Sequence, residues 1–113
     1  MHEMALAEGV LQLVEEAARR EAAQTVRLVV LEIGRLSSVE PEALRFCFGA
    51  VTRGTIAQDA VLEIVDVPGA GICLACGATV PMNEAWGECP ACGGGFLQPS
   101  AGTGMRVREI EID

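Results

Sequence analysis

The sequence predicts an α+β fold: a small three-stranded sheet with two helices, into which a compact metal-binding ribbon is inserted. Three observations predict it. Apolar residues near the start recur with a helical period. Three β-branched runs have strand length. Four of the five cysteines fall into two C-x-x-C pairs, flanked by glycine- and proline-rich stretches. At 113 residues, half of them hydrophobic, the chain suits one small domain with a smaller appendage.

The first element spans about Met4 to Ala23. Leu6, Val10, Leu13, Val14 and Ala17 recur as one apolar helix face, with Glu8, Glu15, Glu16 and Arg19 largely off it. A strand from Thr25 to Ile33 carries Val26, Leu28 and Val30 on one face and Val29, Leu31 and Ile33 on the other, which predicts cover on both sides. Gly34 to Val39 turn the chain. Pro41 suits the first turn of a second helix, which runs to about Val51 before Gly54 ends it. The fifth cysteine, Cys47, shares a face with Leu44, Phe48 and Val51 and reads as a small buried hydrophobe. Val61–Val67 is a second strand and Met105–Ile112 the last. The imperfect alternation of the last strand predicts an edge position or a bulge near Arg108. Pro68-Gly69-Ala70-Gly71 and the stretch from Pro99 to Gly104 read as turn-rich linkers. The expected division is an α/β domain at residues 1–68 and 101–113, with a ribbon domain at 69–100.

Twelve residues separate Cys73 and Cys76 in CLAC from Cys89 and Cys92 in CPAC. Each pair can set two thiolates on one ion from a tight turn, and two turns complete a tetrahedron. Soft thiolates in that geometry suit structural zinc, which makes residues 69–100 a zinc-ribbon domain. Gly77 after the first pair and Gly93, Gly94 and Gly95 after the second let the chain turn with its amides towards the sulfurs. A redox C-x-x-C usually stands alone beside a β-α-β pattern. A disulfide scaffold needs an oxidising compartment, and no apolar signal segment precedes the charged first helix. An iron centre of rubredoxin type uses similar loops, and spacing leaves it open. The ribbon's large apolar residues are chiefly Leu74, Val80, Met82, Trp86, Phe96 and Leu97. A piece that small needs a staple, and zinc supplies about 10–16 kcal/mol in isolated finger peptides.

Charge narrows the function. The net charge is −8, with eight arginines and no lysine, and no basic residue lies between Gly69 and Ser100. Nucleic-acid affinity comes mostly from cationic contacts to phosphate, so the ribbon has nothing with which to bind nucleic acid. An acidic surface fits cations or a basic partner, and it also serves solubility. No run approaches a membrane span, so the expectation is a soluble cytoplasmic protein without membrane contact. No base–nucleophile pair is visible, so the chain reads as a non-enzyme.

The single histidine is His2, followed by Glu3. An imidazole there stands within chelating reach of a terminal amine and the first backbone nitrogens, a donor set that square-planar nickel(II) or copper(II) accepts. Histidine is large, so Met1 is expected to be retained. Taken alone, the placement favours a solvated chain end. Glu3 at a helix start favours the helix dipole whether or not it binds metal.

Together, Met1-His2-Glu3, the segment Pro41-Glu42-Ala43-Leu44-Arg45-Phe46 and the two cysteine pairs resemble the hydrogenase maturation factor HypA/HybF family over essentially the whole chain. The resemblance implies a nickel metallochaperone for [NiFe]-hydrogenase maturation. Ni(II) would bind through Met1, His2 and Glu3, and structural Zn(II) through Cys73, Cys76, Cys89 and Cys92. It also implies work with the GTPase HypB and delivery to the [NiFe]-hydrogenase large subunit; some members supply urease. Two readings from other classes stand beside it, a zinc-ribbon adaptor without nickel function and a rubredoxin-like electron carrier. A homodimer is left open.

Overall fold

The computed structural model describes residues 2–84 and 87–113; Met1 and Trp86, both named above, lie outside the described residues. The elements in chain order are α1 His2–Arg20, β1 Val26–Gly34, α2 Pro41–Val51, β2 Val61–Val67, β3 Ala70–Cys73, β4 Thr79–Pro81, β5 Leu97–Ala101 and β6 Met105–Ile112. The chain divides into two compact units. The first comprises residues through Glu32, Val39–Val65 and Arg106–Asp113; the second comprises Ile33–Ser38 and Asp66–Met105.

The first unit rests on a sheet of order β2-β1-β6. β1 is central, and Val29 and Leu31 on one face and Val26 and Val30 on the other are all buried, as its two apolar faces predict. β6 is the expected edge strand, and its alternation changes phase where Arg108 and Glu109 are both exposed. α1 packs on α2. The buried stripe of α1 is Ala7, Val10, Val14 and Ala18, rotated from the predicted one, and Leu13 is 58% exposed. The physical reason is size: Ala7 and Ala18 are fully buried, and small side chains let two helix backbones approach where leucine would hold them apart. α1 also begins earlier than expected, at His2, and stops at Arg20 rather than Ala23.

α2 starts at Pro41 as expected, with Glu40 as its N-cap. Leu44, Cys47 and Phe48 are buried, so Cys47 is the core residue its spacing predicts. Buried Thr52 ends the helix by donating its hydroxyl to the Phe48 carbonyl at 2.8 Å.

The second unit is built on a sheet of order β4-β3-β5. The two stretches predicted to be linkers are half strand, at Ala70 and Gly71 and from Pro99 to Ala101. β3 and β5 pair antiparallel with Gly71 opposite Pro99 and Cys73 opposite Leu97, and the register slips between Ala70 and Gly71. Glycine and proline marked something other than a loop here. Pro99 lies on an edge strand, where a missing donor is tolerated. A side chain at Gly71 would strike the Met82 sulfur, so glycine is there for close approach. A second crowding point joins Gly34, Gly69 and Gly102. Gly34 N donates to Gly104 O at 2.8 Å, Leu36 N to Gly102 O at 2.8 Å, and Met82 N to Gly69 O at 3.0 Å. Arg35 adds side-chain ties, with Nε 2.8 Å from Asp66 Oδ2 and Nη1 3.1 Å from Asn83 Oδ1.

Gly102 has φ +71°, and a Cβ there would lie 2.6 Å from Pro68 O and 2.8 Å from Gly69 Cα. Gly102→Ala is therefore expected to destabilise the protein by about 1–3 kcal/mol. Gly104→Ala, with open space around it, should change stability by no more than about 0.5 kcal/mol. Thermal denaturation followed by circular dichroism compares the two; equal losses would mean that the crowding is not what the glycine relieves.

Candidate metal centres

Cys73 closes β3, Cys76 lies in the turn after it, and Cys89 and Cys92 occupy a second turn built the same way. In each, the residue after the second cysteine is a left-handed glycine, Gly77 at φ +78° and Gly93 at φ +79°. Each glycine amide donates back to the carbonyl of the first cysteine, Gly77 to Cys73 at 2.9 Å and Gly93 to Cys89 at 2.7 Å. CLACG and CPACG are thus two copies of one knuckle. In each, the first cysteine is buried and the second exposed.

The four sulfurs lie within 4.8 Å of one another. Cys73 Sγ is 3.7 Å from Cys92 Sγ, and Cys76 Sγ is 3.8 Å from Cys89 Sγ. A tetrahedron with zinc–sulfur bonds of about 2.3 Å has edges of about 3.8 Å. The donor set and its spacing therefore fit one zinc ion, and the unit is a zinc ribbon. The Cys76 amide, 3.4 Å from Cys73 Sγ, and the Ala75 amide hold the Cys73 thiol down at about 6, against the opposing effect of burial. The Ala78 amide favours the Cys76 thiolate. Its sulfur contacts with Cys73, Cys89 and Cys92, together with burial, outweigh that and push its thiol up to about 11. Four thiolates at one point repel, and a divalent cation supplies the charge that lets them ionise together. Gly95, one of the three glycines expected to ease the turn after the second pair, packs directly against this cluster, since a Cβ there would collide with Cys73 Sγ.

At the other candidate site, α1 carries His2 and Glu3 in its first turn. The His2 side chain is 59% exposed, whereas that of Glu3 is only 14% exposed. Glu3 Oε2 lies 3.5 Å from His2 Nδ1 and accepts a hydrogen bond from the Glu40 amide at 3.2 Å. In a capping box the N-cap amide is bonded by a Glu or Gln at the third helical position; α2 has Ala43 there, and Glu3 supplies the carboxylate from another helix. The Glu40 amide, the residue's own amide and His2 lower the Glu3 carboxyl below the ordinary carboxylate range. A lowered folded-state pKa means this contribution is present above the ordinary carboxylate pKa and is lost as pH falls through the lowered value. Glu3 thus has a structural task, and Glu40 is a partner that no local pattern announces.

The profile of the family described as hydrogenase/urease nickel incorporation, metallochaperone, hypA matches residues 1–112. The chain belongs to the HypA family. The hydrogenase maturation factor HypA of Dechloromonas aromatica is 69% identical over 113 residues, all of both chains, and that of Albidiferax ferrireducens is 59% identical over the same span. The solution structure of the Ni metallochaperone HypA from Helicobacter pylori superposes with a TM-score of 0.70 at 25% identity, covering 97% of this chain and 96% of that one. A second HypA solution structure gives 0.74 at 26% identity, covering 99% and 96%. HypA relatives carry the same two-helix, ribbon-bearing fold, and none of them supports the adaptor or electron-carrier reading. Among the described residues, no helix is long and apolar enough to cross a membrane.

Separate measurements test the two centres. Cys89→Ala should reduce zinc, measured by elemental analysis, from about one equivalent to near zero. Gly95→Ala should weaken retention against a chelator, and Cys47→Ala should leave it unchanged. At the other end, Glu3→Ala should lower the melting temperature by a few degrees without nickel present. Glu3→Gln, which keeps a carbonyl acceptor for the Glu40 amide, should lower it less.

Proposed function

We propose that this chain is a nickel metallochaperone that takes up Ni(II) as cargo through Met1, His2 and Glu3 and hands it on during [NiFe]-hydrogenase maturation. The GTPase HypB and the hydrogenase large subunit are its partners in this reading, the cytoplasm is its compartment, and it performs no catalysis. The nickel part is the α/β domain of residues 1–68 and 101–113. The zinc ribbon of residues 69–100 is held by Cys73, Cys76, Cys89 and Cys92. The observation that carries the reading is the family match over residues 1–112.

The chemistry of the donors supports it. His2 is exposed at the start of α1, so its imidazole can engage an ion without disturbing the core. Glu3 beside it is an anionic group held near that imidazole. Nitrogen-rich planar sites favour nickel and copper, whereas four thiolates favour zinc, so each metal has its own donor set. An exposed, open site also lets a partner compete for one ligand at a time, which a cargo site requires and a closed tetrahedron forbids.

Calorimetry with Ni(II) tests the reading. His2→Ala should weaken nickel binding by more than about 100-fold, while zinc content and the circular dichroism spectrum stay as they are. In a chain expressed with Met1 as its first residue, an extension ahead of Met1 should weaken binding strongly, and one after Asp113 should not. Binding should fall on acidification, because nickel must displace protons from its nitrogen donors. Unchanged affinity in His2→Ala would overturn the site.

A further inference from the structure

Beyond the metals, the ribbon carries a surface with no role in its fold. Phe96 is 83% exposed, Leu74 68% and Ile72 41%. They belong together. The Leu74 amide donates to the Phe96 carbonyl at 2.9 Å, continuing the β3–β5 ladder past the pair Cys73 and Leu97. Residues directly opposite in an antiparallel ladder point to the same side, and so do residues two apart on one strand. Cys73 and Leu97 point into the ribbon's interior, where Cys73 clusters with Val80 and Cys89 and Leu97 packs against them. Leu74 and Phe96 therefore point the other way, and Ile72 stands beside Leu74 on that outer side. Scattered exposed apolar side chains are ordinary, but three adjoining ones on one face mark a contact surface.

We propose that Ile72, Leu74 and Phe96 form a docking surface for a partner protein that presents an apolar recess bordered by lysine and arginine. The charge pattern selects that occupant. From Gly69 to Ser100 the only charged residues are Glu84 and Glu88, and the chain as a whole carries −8. A nucleic acid or an anionic lipid surface is repelled. A second copy would bring two like-charged chains together with no cation on this segment to offset them. A heterologous basic-rimmed surface is attracted by the net negative charge and meets no competing cation on this segment. Shape favours the same occupant. The Leu74–Phe96 pair sits on a hydrogen-bonded ladder next to a buried ligand sulfur, so the knob is held in place before contact and loses little freedom on binding. The surface uses none of the proposed nickel ligands, so it stands or falls apart from them.

The test places the photo-crosslinking residue p-benzoylphenylalanine at position 96 of the full-length zinc-loaded protein, in cells making hydrogenase. Cross-linked peptides are identified by mass spectrometry. The cross-linked protein is then purified, and its affinity is measured by calorimetry at low and high salt for the wild type and for the double variant Leu74→Ser with Phe96→Ser. Both side chains lie off the core, so zinc content and circular dichroism should be unchanged; Phe96→Ala alone serves if the double variant loses zinc. The expected result is a heterologous partner whose cross-linked peptides contain apolar and basic residues. Its binding weakens at least tenfold in the variant and also weakens as salt rises. A cross-link to a second copy of this chain, no cross-link, an affinity that the variant leaves unchanged, or an affinity indifferent to salt would each overturn the proposal.

Discussion

The convergence of four sulfurs on one point is the constraint on which the second unit depends. A buried cluster at the heart of the unit comprises Cys73, Val80 and Cys89, with Ala78 and Leu97 packed against them. Two of the three buried members of that cluster are candidate zinc ligands, so the metal site and the core are one object. A few small side chains cannot offset the backbone entropy of ordering some forty residues, at roughly 1–2 kcal/mol each. A metal bond network on the scale of about 10–16 kcal/mol is the missing contribution. The tight packing follows from the same need. Glycine at 71 and 95 lets backbone or sulfur approach where any Cβ would intrude, and the left-handed glycines at 77 and 93 close each knuckle by donating to the carbonyl of its first cysteine.

Legibility in the sequence followed the range of the interaction. The cysteine spacing states its own geometry within four residues, and the two knuckles were readable as a metal site for that reason. Pro41 likewise marked the first turn of α2, because a missing amide and a fixed φ are local properties. The existence of α1 was visible in its period, but its buried stripe was not. Choosing Leu13 as core and overlooking Ala7 and Ala18 follows hydrophobicity, whereas a close helix pair selects for smallness. Glycine and proline between residues 68 and 71 and between 99 and 104 read as breakers, since the same residues serve turns, edge strands and close backbone crossings. Only the neighbouring strand decides among those uses. The Glu3–Glu40 bond spans 37 residues, and the one trace of it is the alanine where a capping box would place a carboxylate.

On the proposed reading, that bond bears on how the nickel site is built. Glu3 divides its carboxylate between a neighbouring imidazole and the amide that opens α2. An acidic residue with no partner beside a metal-binding histidine would be a free ligand, always available and strongly retaining. One whose Oε2 is already committed to a helix start gives up that hydrogen bond whenever the same oxygen turns to an ion. On the proposed reading this lowers nickel affinity by the strength of the bond surrendered and makes release easier, since the carboxylate has somewhere to return. The ribbon takes the opposite course, with the first cysteine of each knuckle buried and backbone amides bonded around the cluster. Retention and release thus follow from how fully each donor is satisfied before the metal arrives. Hard and soft donor chemistry sorts the metals; the state of those donors in the metal-free fold sets how long each is kept.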